Sequence, residues 1–303
     1  MTISAIQTYI RTIEEDISLC EETNFDQRIE VIDFLGFQVI DQIDALLQNA
    51  DHPESLTLLR ASAEKLRCEL EEIDRKLFHQ LRTTIRTKAF TGNEFRDLIT
   101  EYVDLSSSPP HHQEEPGYDN LDIFINGLSL FQPIPDQTKI LEPDMVGYQK
   151  TPASIVFELV GRFHFRQEDV FFDLGSGLGQ VAILVNLLTG VTVKGIELDP
   201  AFCDYAEDCA ADLNLHNVTF INVDARKADY SEGTIFFMYT PFRGGILDEV
   251  AAVLRKESLQ RKITIITYGP CTAQVALQSW LKLEVPEDSN IHKPGVFTSF
   301  EHP

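Results

Sequence analysis

The segment that constrains this chain most is Val170-Phe171-Phe172-Asp173-Leu174, followed at once by Gly175-Ser176-Gly177-Leu178-Gly179-Gln180. A short, mainly apolar run that stops in a glycine turn reads as a strand covered on both faces, because such a strand needs no polar alternation. A helix is predicted to open at Gly177 and to run to about Leu188. The same alternation recurs downstream. Residues 191–197, 218–223, 234–239 and 263–267 read as strands, as do the region around Leu283 and residues 296–300. Asp199 and Pro200 open another helix, and residues 152–163 fit an amphipathic one. Strands alternating with helices imply crossover connections and a mainly parallel sheet, so the fold class predicted here is α/β and Rossmann-like.

The first third of the chain follows another rule. Residues 1–105 hold few glycines and repeat their apolar positions at helical spacing. Asn24 is placed to cap a helix running towards residue 50, with Ile32, Leu35, Val39, Ile43 and Leu46 on one face. Pro53 and Glu54 mark the start of a second helix, in which Leu66, Leu70, Ile73 and Leu77 are spaced like a coiled-coil seam. Gln80 and Thr84 then occupy the seam positions and end it. A helical bundle or hairpin that can self-associate is the expectation for 1–105. Residues 106–146 read as a proline-rich linker or arm, beginning with Ser106-Ser107-Ser108-Pro109-Pro110-His111-His112. That arm also carries Leu121, Ile123, Phe124, Ile125, Leu128, Leu130 and Phe131, so it is predicted to pack against a neighbouring domain. Residues 147–303 make up the α/β domain.

Charge narrows the possible functions. The 303 residues include 25 Lys and Arg against 48 Asp and Glu, a formal charge of −23. That balance works against broad binding to nucleic acid or to an anionic membrane surface. The longest apolar run, 181–188, is too short to span a bilayer, and the first ten residues lack the basic-then-apolar order of a signal peptide. Cys20, Cys68, Cys203, Cys209 and Cys271 form no C-x-x-C pair, so reduced thiols in a cytoplasmic protein with no metal site are expected. His111 and His112 read as solvated linker residues.

Two cofactor classes use a glycine turn of this kind. A dinucleotide fold needs G-x-G-x-x-G with the pyrophosphate on the helix N-terminus. Here Gln180 stands where the third glycine belongs, and that glycine falls one residue early at Gly179. The pattern is acidic-x-G-x-G-x-G. An acidic residue beside the turn suits a cationic amino-acid group better than a pyrophosphate, and S-adenosylmethionine has an ammonium, a carboxylate and a sulfonium but no phosphate. Glu197, at the end of the second strand, can accept from both hydroxyls of a ribose. Asp224, after the third strand, can accept from an adenine amino group, with Ala225 beside it. Tyr239-Thr240-Pro241-Phe242 ends the fourth strand, over the place of a methyl acceptor.

From about Tyr148 to Tyr268 the chain resembles the class I, seven-strand, S-adenosylmethionine-dependent methyltransferases. Its glycine motif and Gly195-Ile196-Glu197 are similar to those of the disruptor-of-telomeric-silencing-like histone lysine methyltransferases. It departs from them at Tyr148-Gln149-Lys150-Thr151, where that family has Tyr-Gly-Glu-Thr, and at Tyr239-Thr240-Pro241-Phe242, where it has Asn-Phe-Ala-Phe. The resemblance implies that Asp173, Gly175, Ser176, Gly177, Gly179 and Gln180 hold the methionine part of the cofactor. It implies that Glu197 and Leu198 hold the ribose, that Asp224 and Ala225 flank the adenine, and that Tyr148 and Thr151 close over the cofactor. Tyr239 and Phe242 would line the acceptor channel, with Tyr239 positioning the acceptor for in-line methyl transfer. The acceptor expected is a protein or a small molecule. A nicotinamide-dependent oxidoreductase and a noncatalytic interaction protein on a relic fold are the alternatives.

Overall fold

In a computed structural model the described residues are 2–48, 53–88, 90, 92–105, 118–129, 133–284 and 294–300. The linker at 106–112 and the apolar Leu130 and Phe131 lie outside them. The chain divides into two compact units, one of Met1–Thr84 with Asp97–Ser107, the other of Ile85–Arg96 with Ser108–Pro303. Residues 85–96, grouped with the N-terminal helices in the sequence reading, therefore cluster with the sheet.

In the first unit α1 (Ile3–Glu15) is followed by a 3₁₀ turn, then by α2 (Phe25–Asp33), a π-helical stretch (Phe34–Ile40) and α3 (Asp41–Leu47). The single helix expected after Asn24 is thus interrupted at mid-length, with the wider i to i+5 pitch over Phe34–Ile40. Asn24 stands at the N-cap of α2 but does not cap it, because its amide donates to Ser18 O at 2.9 Å. The long α4 (Glu54–Thr87) packs Leu56, Ala63, Leu66 and Leu70 against Ile6, Ile10, Leu35, Val39 and Ile43. Leu81 and Ile85 are also buried. The apolar stripe therefore follows the helix period past Leu77 rather than ending with the seam. Arg28 is fully buried and donates to Asp74 Oδ1 at 2.7 Å and to Leu19 O and Glu21 O at 3.0 and 2.8 Å. A guanidinium taken from water persists only when paired and bonded in this way.

In the second unit α5 (Gly92–Thr100) contributes its first residues, and α6 (Asn120–Ser129) and α7 (Ala153–Arg162) precede the sheet. Then follow β1 (Val170–Leu174), α8 (Gln180–Thr189), β2 (Thr192–Glu197), α9 (Pro200–Asp212) and β3 (Val218–Asn222). The chain continues with β4 (Ile235–Tyr239), α10 (Gly244–Ser258), β5 (Thr264–Tyr268), α11 (Cys271–Val275), β6 (Leu281–Leu283) and β7 (Gly295–Ser299). The seven strands lie in the order β3-β2-β1-β4-β5-β7-β6. All pairings are parallel except those of β7, which runs antiparallel to β5 and β6. The Rossmann-like seven-strand sheet read from the sequence is present. Phe172 stacks on Phe236 at 5.5 Å between ring centres in its core.

α8 begins at Gln180, three residues later than expected. Gly175, Gly177 and Gly179 have φ of +77°, +52° and +80°, left-handed values that keep the turn out of the helix and that glycine alone adopts freely. Strand order reverses between β1 and β4, and a sheet of this kind opens its crevice there, beyond the carboxyl ends of the strands.

Candidate functional site

Three connected hollows occupy that crevice, and Tyr148 and Tyr239 line all of them. The first is a cleft of about 100 Å³ that opens to solvent. The ends of β1, β2, β3 and β4 line it through Gly175, Gly177, Glu197, Asp224 and Pro241, and residues between 137 and 149, from the arm and the start of the α/β domain, complete the lining. The second is a small hollow of about 30 Å³ beside the glycine turn. The third shares Val146, Tyr148, Gln149, Tyr239 and Thr240 with the first and is lined further by Arg243, Tyr268 and Cys271.

The glycines serve different ends. A Cβ on Gly177 would sit 2.5 Å from the Tyr148 ring, so a bare backbone is required where the turn meets that wall. Gly179 lines none of the hollows. A Cβ there would strike Phe220 at 2.5 Å and Ala206 at 2.7 Å, so it sets how closely α8 approaches β3 and α9. Glu197 braces the turn. Its Oε2 accepts from Gly177 N at 2.7 Å and its Oε1 from Asp199 N at 2.8 Å. Burial pushes its carboxyl up, while those backbone donors partly offset the shift.

The small hollow gathers polar atoms that nothing satisfies. Asp173 Oδ2, Ser176 Oγ and both amide atoms of Gln180 are buried without a hydrogen-bond partner, and all three side chains line it, with Thr151. Burial, aided by the Glu197 carboxylate, pushes Asp173 up to about 7. Native folds leave few buried polar groups unmatched, so three converging on one space call for an explanation, and a polar ligand is the direct one. An acid on one wall and an amide on another offer partners to an ammonium and to a carboxylate.

At the far end of the cleft, Leu198 and Ala225 line the wall as the sequence placed them. Asp224 lines it too, but its carboxylate is held by Arg226, with Nε at 3.0 Å from Oδ1 and Nη2 at 2.6 Å from Oδ2. Arg226 also binds Glu142 at 2.7 Å. The role expected of Asp224, accepting from an adenine amino group, thus competes with a bidentate ion pair. Phe242 is buried in the core beside Met145 and lines the first cleft, as Tyr239 does, but not the third hollow. A β-bridge between Met145 and Phe242 draws it there. Tyr239 does line the third hollow, its ring 4.9 Å from that of Tyr268.

Several residues at the site were invisible in the sequence pattern. Asp199 was legible as the N-cap of α9, and it does accept from Ala201 N at 2.9 Å. It also accepts from Thr138 N, Thr138 Oγ1 and Lys139 N at 2.6, 2.8 and 2.7 Å, which ties the arm to the cleft. Those donors lie some sixty positions away in sequence and leave no local signal. Thr240 has φ of +42°, a strained value for a threonine. Its hydroxyl donates to Tyr268 O and accepts from Cys271 N, which holds the turn after β4. Among the described residues no group of three or more His, Cys, Asp or Glu could hold a metal ion, and no helix is long and apolar enough to cross a membrane.

The arm latch makes a prediction of its own. Asn caps helices as well as Asp, but its amide has one accepting oxygen and no charge. Asp199→Asn should therefore keep α9 intact by circular dichroism and weaken nucleoside binding in the cleft by about fivefold, near 1 kcal/mol. Unchanged affinity in calorimetry would show that the latch plays no part in binding.

Comparison with known proteins finds similarity over part of the chain. The family model described as histone methylation protein DOT1 matches residues 145–242, which hold the turn, Glu197, Asp224 and Tyr239. A candidate 23S rRNA (uracil(747)-C(5))-methyltransferase of Haemophilus ducreyi is 28% identical over 138 residues, covering 44% of this chain and 62% of that protein. The chain thus spans less than two thirds of that relative's length. An RNA methyltransferase from Salinibacter ruber, solved with S-adenosylhomocysteine, shows 22% identity over 51% of this chain and 97% of its own, with a TM-score of 0.41. For a precorrin-6y C5,15-methyltransferase from Geobacter metallireducens the values are 17%, 52%, 94% and 0.40.

Proposed function

We propose that this chain is an S-adenosylmethionine-dependent methyltransferase and that the cleft and the small hollow together hold the cofactor. The observation that carries this reading is the set of orphaned buried polar atoms on Asp173, Ser176 and Gln180, gathered at one end of a cleft whose middle is walled by Glu197. Asp173 would take the ammonium, and the Gln180 amide with the Ser176 hydroxyl the carboxylate. Glu197 keeps acceptor capacity for the ribose beyond the two backbone donors it already receives. Leu198 and Ala225 would flank the base, and Tyr148 and Thr151 would stand over the cofactor. A buried acid beside the turn disfavours the pyrophosphate of a nicotinamide cofactor, and the early Gly179 agrees.

When bound, the cofactor supplies a methyl group already activated on a sulfonium, so the residues of this chain have to align and exclude water more than to activate. Tyr239 and Tyr148 line both the cleft and the third hollow and would hold the acceptor in line. Burial raises the Tyr148 and Tyr268 hydroxyls above the usual phenol range, so both stay protonated and keep a proton to offer a bound group.

The acceptor we favour is a protein or small molecule, approaching from the third hollow. A nucleic-acid acceptor is the second reading, favoured by the relative named for 23S rRNA and opposed by the charge of −23. Transfer of labelled methyl from S-adenosylmethionine to a small-molecule panel, a basic peptide and an RNA oligonucleotide tests the two readings side by side.

Asp173 gives this proposal a pH signature. Its folded-state carboxyl titrates at about 7, so neutral Asp173 predominates below that pH and an incoming ammonium must displace the proton. Cofactor affinity should fall about tenfold per pH unit below 7, and level off above it. The stability of the ligand-free protein runs the other way: a raised carboxyl pKa favours the fold at low pH and is a liability as pH climbs from about 4 to 7. Isothermal titration at pH 6, 7 and 8 checks the first, and flat affinity over that range would remove Asp173 from the ammonium.

A further inference from the structure

The third hollow has a chemical bias that nothing above has used. Four tyrosines, Tyr118, Tyr148, Tyr239 and Tyr268, line it, and among the described residues Arg243 is its one basic side chain and no Asp, Glu, His or Lys lines it. The Arg243 guanidinium has no acidic partner among the described residues. Tyr268 Oη is buried there without a hydrogen-bond partner. The Cys271 thiol also lines the hollow but lies against Met238 O and Tyr268 O, at 3.7 and 3.5 Å, with burial holding it protonated.

Among the described residues these walls offer donors and a cation and no proton acceptor strong enough to act as a base. An amine, amide or phenol acceptor has to lose a proton to react and finds nothing here to take it. An acceptor that is already anionic at neutral pH needs no base, and it meets complementary charge. Resting on the methyltransferase reading, we infer that the acceptor is a small carboxylate on a flat, mainly apolar body, methylated on oxygen and bound with its charge towards Arg243 and the tyrosine hydroxyls. In that transfer a carboxylate oxygen lone pair forms the bond to the methyl carbon, and the carbon–sulfur bond of the sulfonium donor breaks with its electron pair kept by sulfur. Anion and cation are converted to a neutral ester and a neutral thioether, and no proton is released.

The test uses the full chain saturated with S-adenosylhomocysteine, after binding of that compound alone has been measured by calorimetry. Benzoate, benzamide, benzylamine and uridine are then compared by saturation-transfer NMR and competition. Benzoate should bind best, with benzamide about tenfold weaker for want of charge. Arg243→Gln should cost benzoate about tenfold, Arg243→Lys less, and Tyr268→Phe a few-fold, with S-adenosylhomocysteine affinity unchanged in each. Methyl benzoate formed from labelled S-adenosylmethionine would complete the support. Equal binding of benzamide or benzylamine, preference for uridine, or an Arg243→Gln variant that still holds benzoate would overturn the carboxylate assignment and leave the cofactor reading standing. Failure of S-adenosylhomocysteine to bind the unsubstituted chain would remove both.

Discussion

Asp173→Ala should abolish cofactor binding without harming the fold. Removing one partner of a buried charged pair costs a complex about 3 kcal/mol or more, which is over a hundredfold in affinity. The same side chain has the opposite standing in the ligand-free protein. Its Oδ2 is buried with no partner, and burial forces the group towards its neutral form. The carboxyl does accept from the Ala182 backbone, so deletion relieves one unsatisfied buried oxygen and orphans one helix donor, and the melting temperature of the variant should change little. That pairing of outcomes separates a ligand group from a structural one. If Asp173 only supported the strand end, the variant would melt lower and any remaining folded protein would bind as before. Asp173→Asn, nearly identical in shape, should lose affinity almost as completely and confirm that charge is what matters.

Glu197→Ala should damage both stability and binding. The carboxylate holds Gly177 N and Asp199 N, so its removal leaves two backbone donors without their acceptor in a mostly buried setting, at about 1–3 kcal/mol each. Differential scanning calorimetry should therefore show a clear loss. Cofactor affinity should fall about a hundredfold, because a hydrogen-bonding wall is gone and the turn that presents Gly175 and Gly177 is no longer braced. Glu197→Gln keeps one accepting oxygen and should recover part of the stability but little of the affinity. A Glu197→Ala protein that melts lower yet binds normally would reduce Glu197 to a brace.

The contrast between these two carboxylates shows what a one-dimensional reading can reach. Asp173 and Glu197 were legible because each sits at the end of an apolar strand, and the strand end fixes where the side chain goes. β1 fell where its apolar run predicted, and the remaining strands were shifted by only a residue or so for the same reason. Gly177 and Gly179 were equally visible, yet one lies against the Tyr148 ring in the cleft and the other against Phe220, and only the neighbours contributed from distant sequence tell them apart. The surroundings of Asp224 and Phe242 were hidden for that reason: an arginine two residues on and a bridge from Met145 decide what they meet. The arm is the extreme case. Its attachment through Thr138 and Lys139 to Asp199, and through Glu142 to Arg226, has no periodicity and no motif. Local pattern likewise missed the π-helical stretch at Phe34–Ile40, because its apolar spacing still satisfies an ordinary helix.

A single titration bears most directly on the central claim. The full chain at pH 8, where Asp173 is ionised, is titrated with S-adenosylhomocysteine and separately with NAD. One-to-one binding of the thioether nucleoside, lost on Asp173→Ala, with no heat from NAD, is the result predicted. Saturable binding of NAD, or silence with S-adenosylhomocysteine, would contradict the assignment of this crevice.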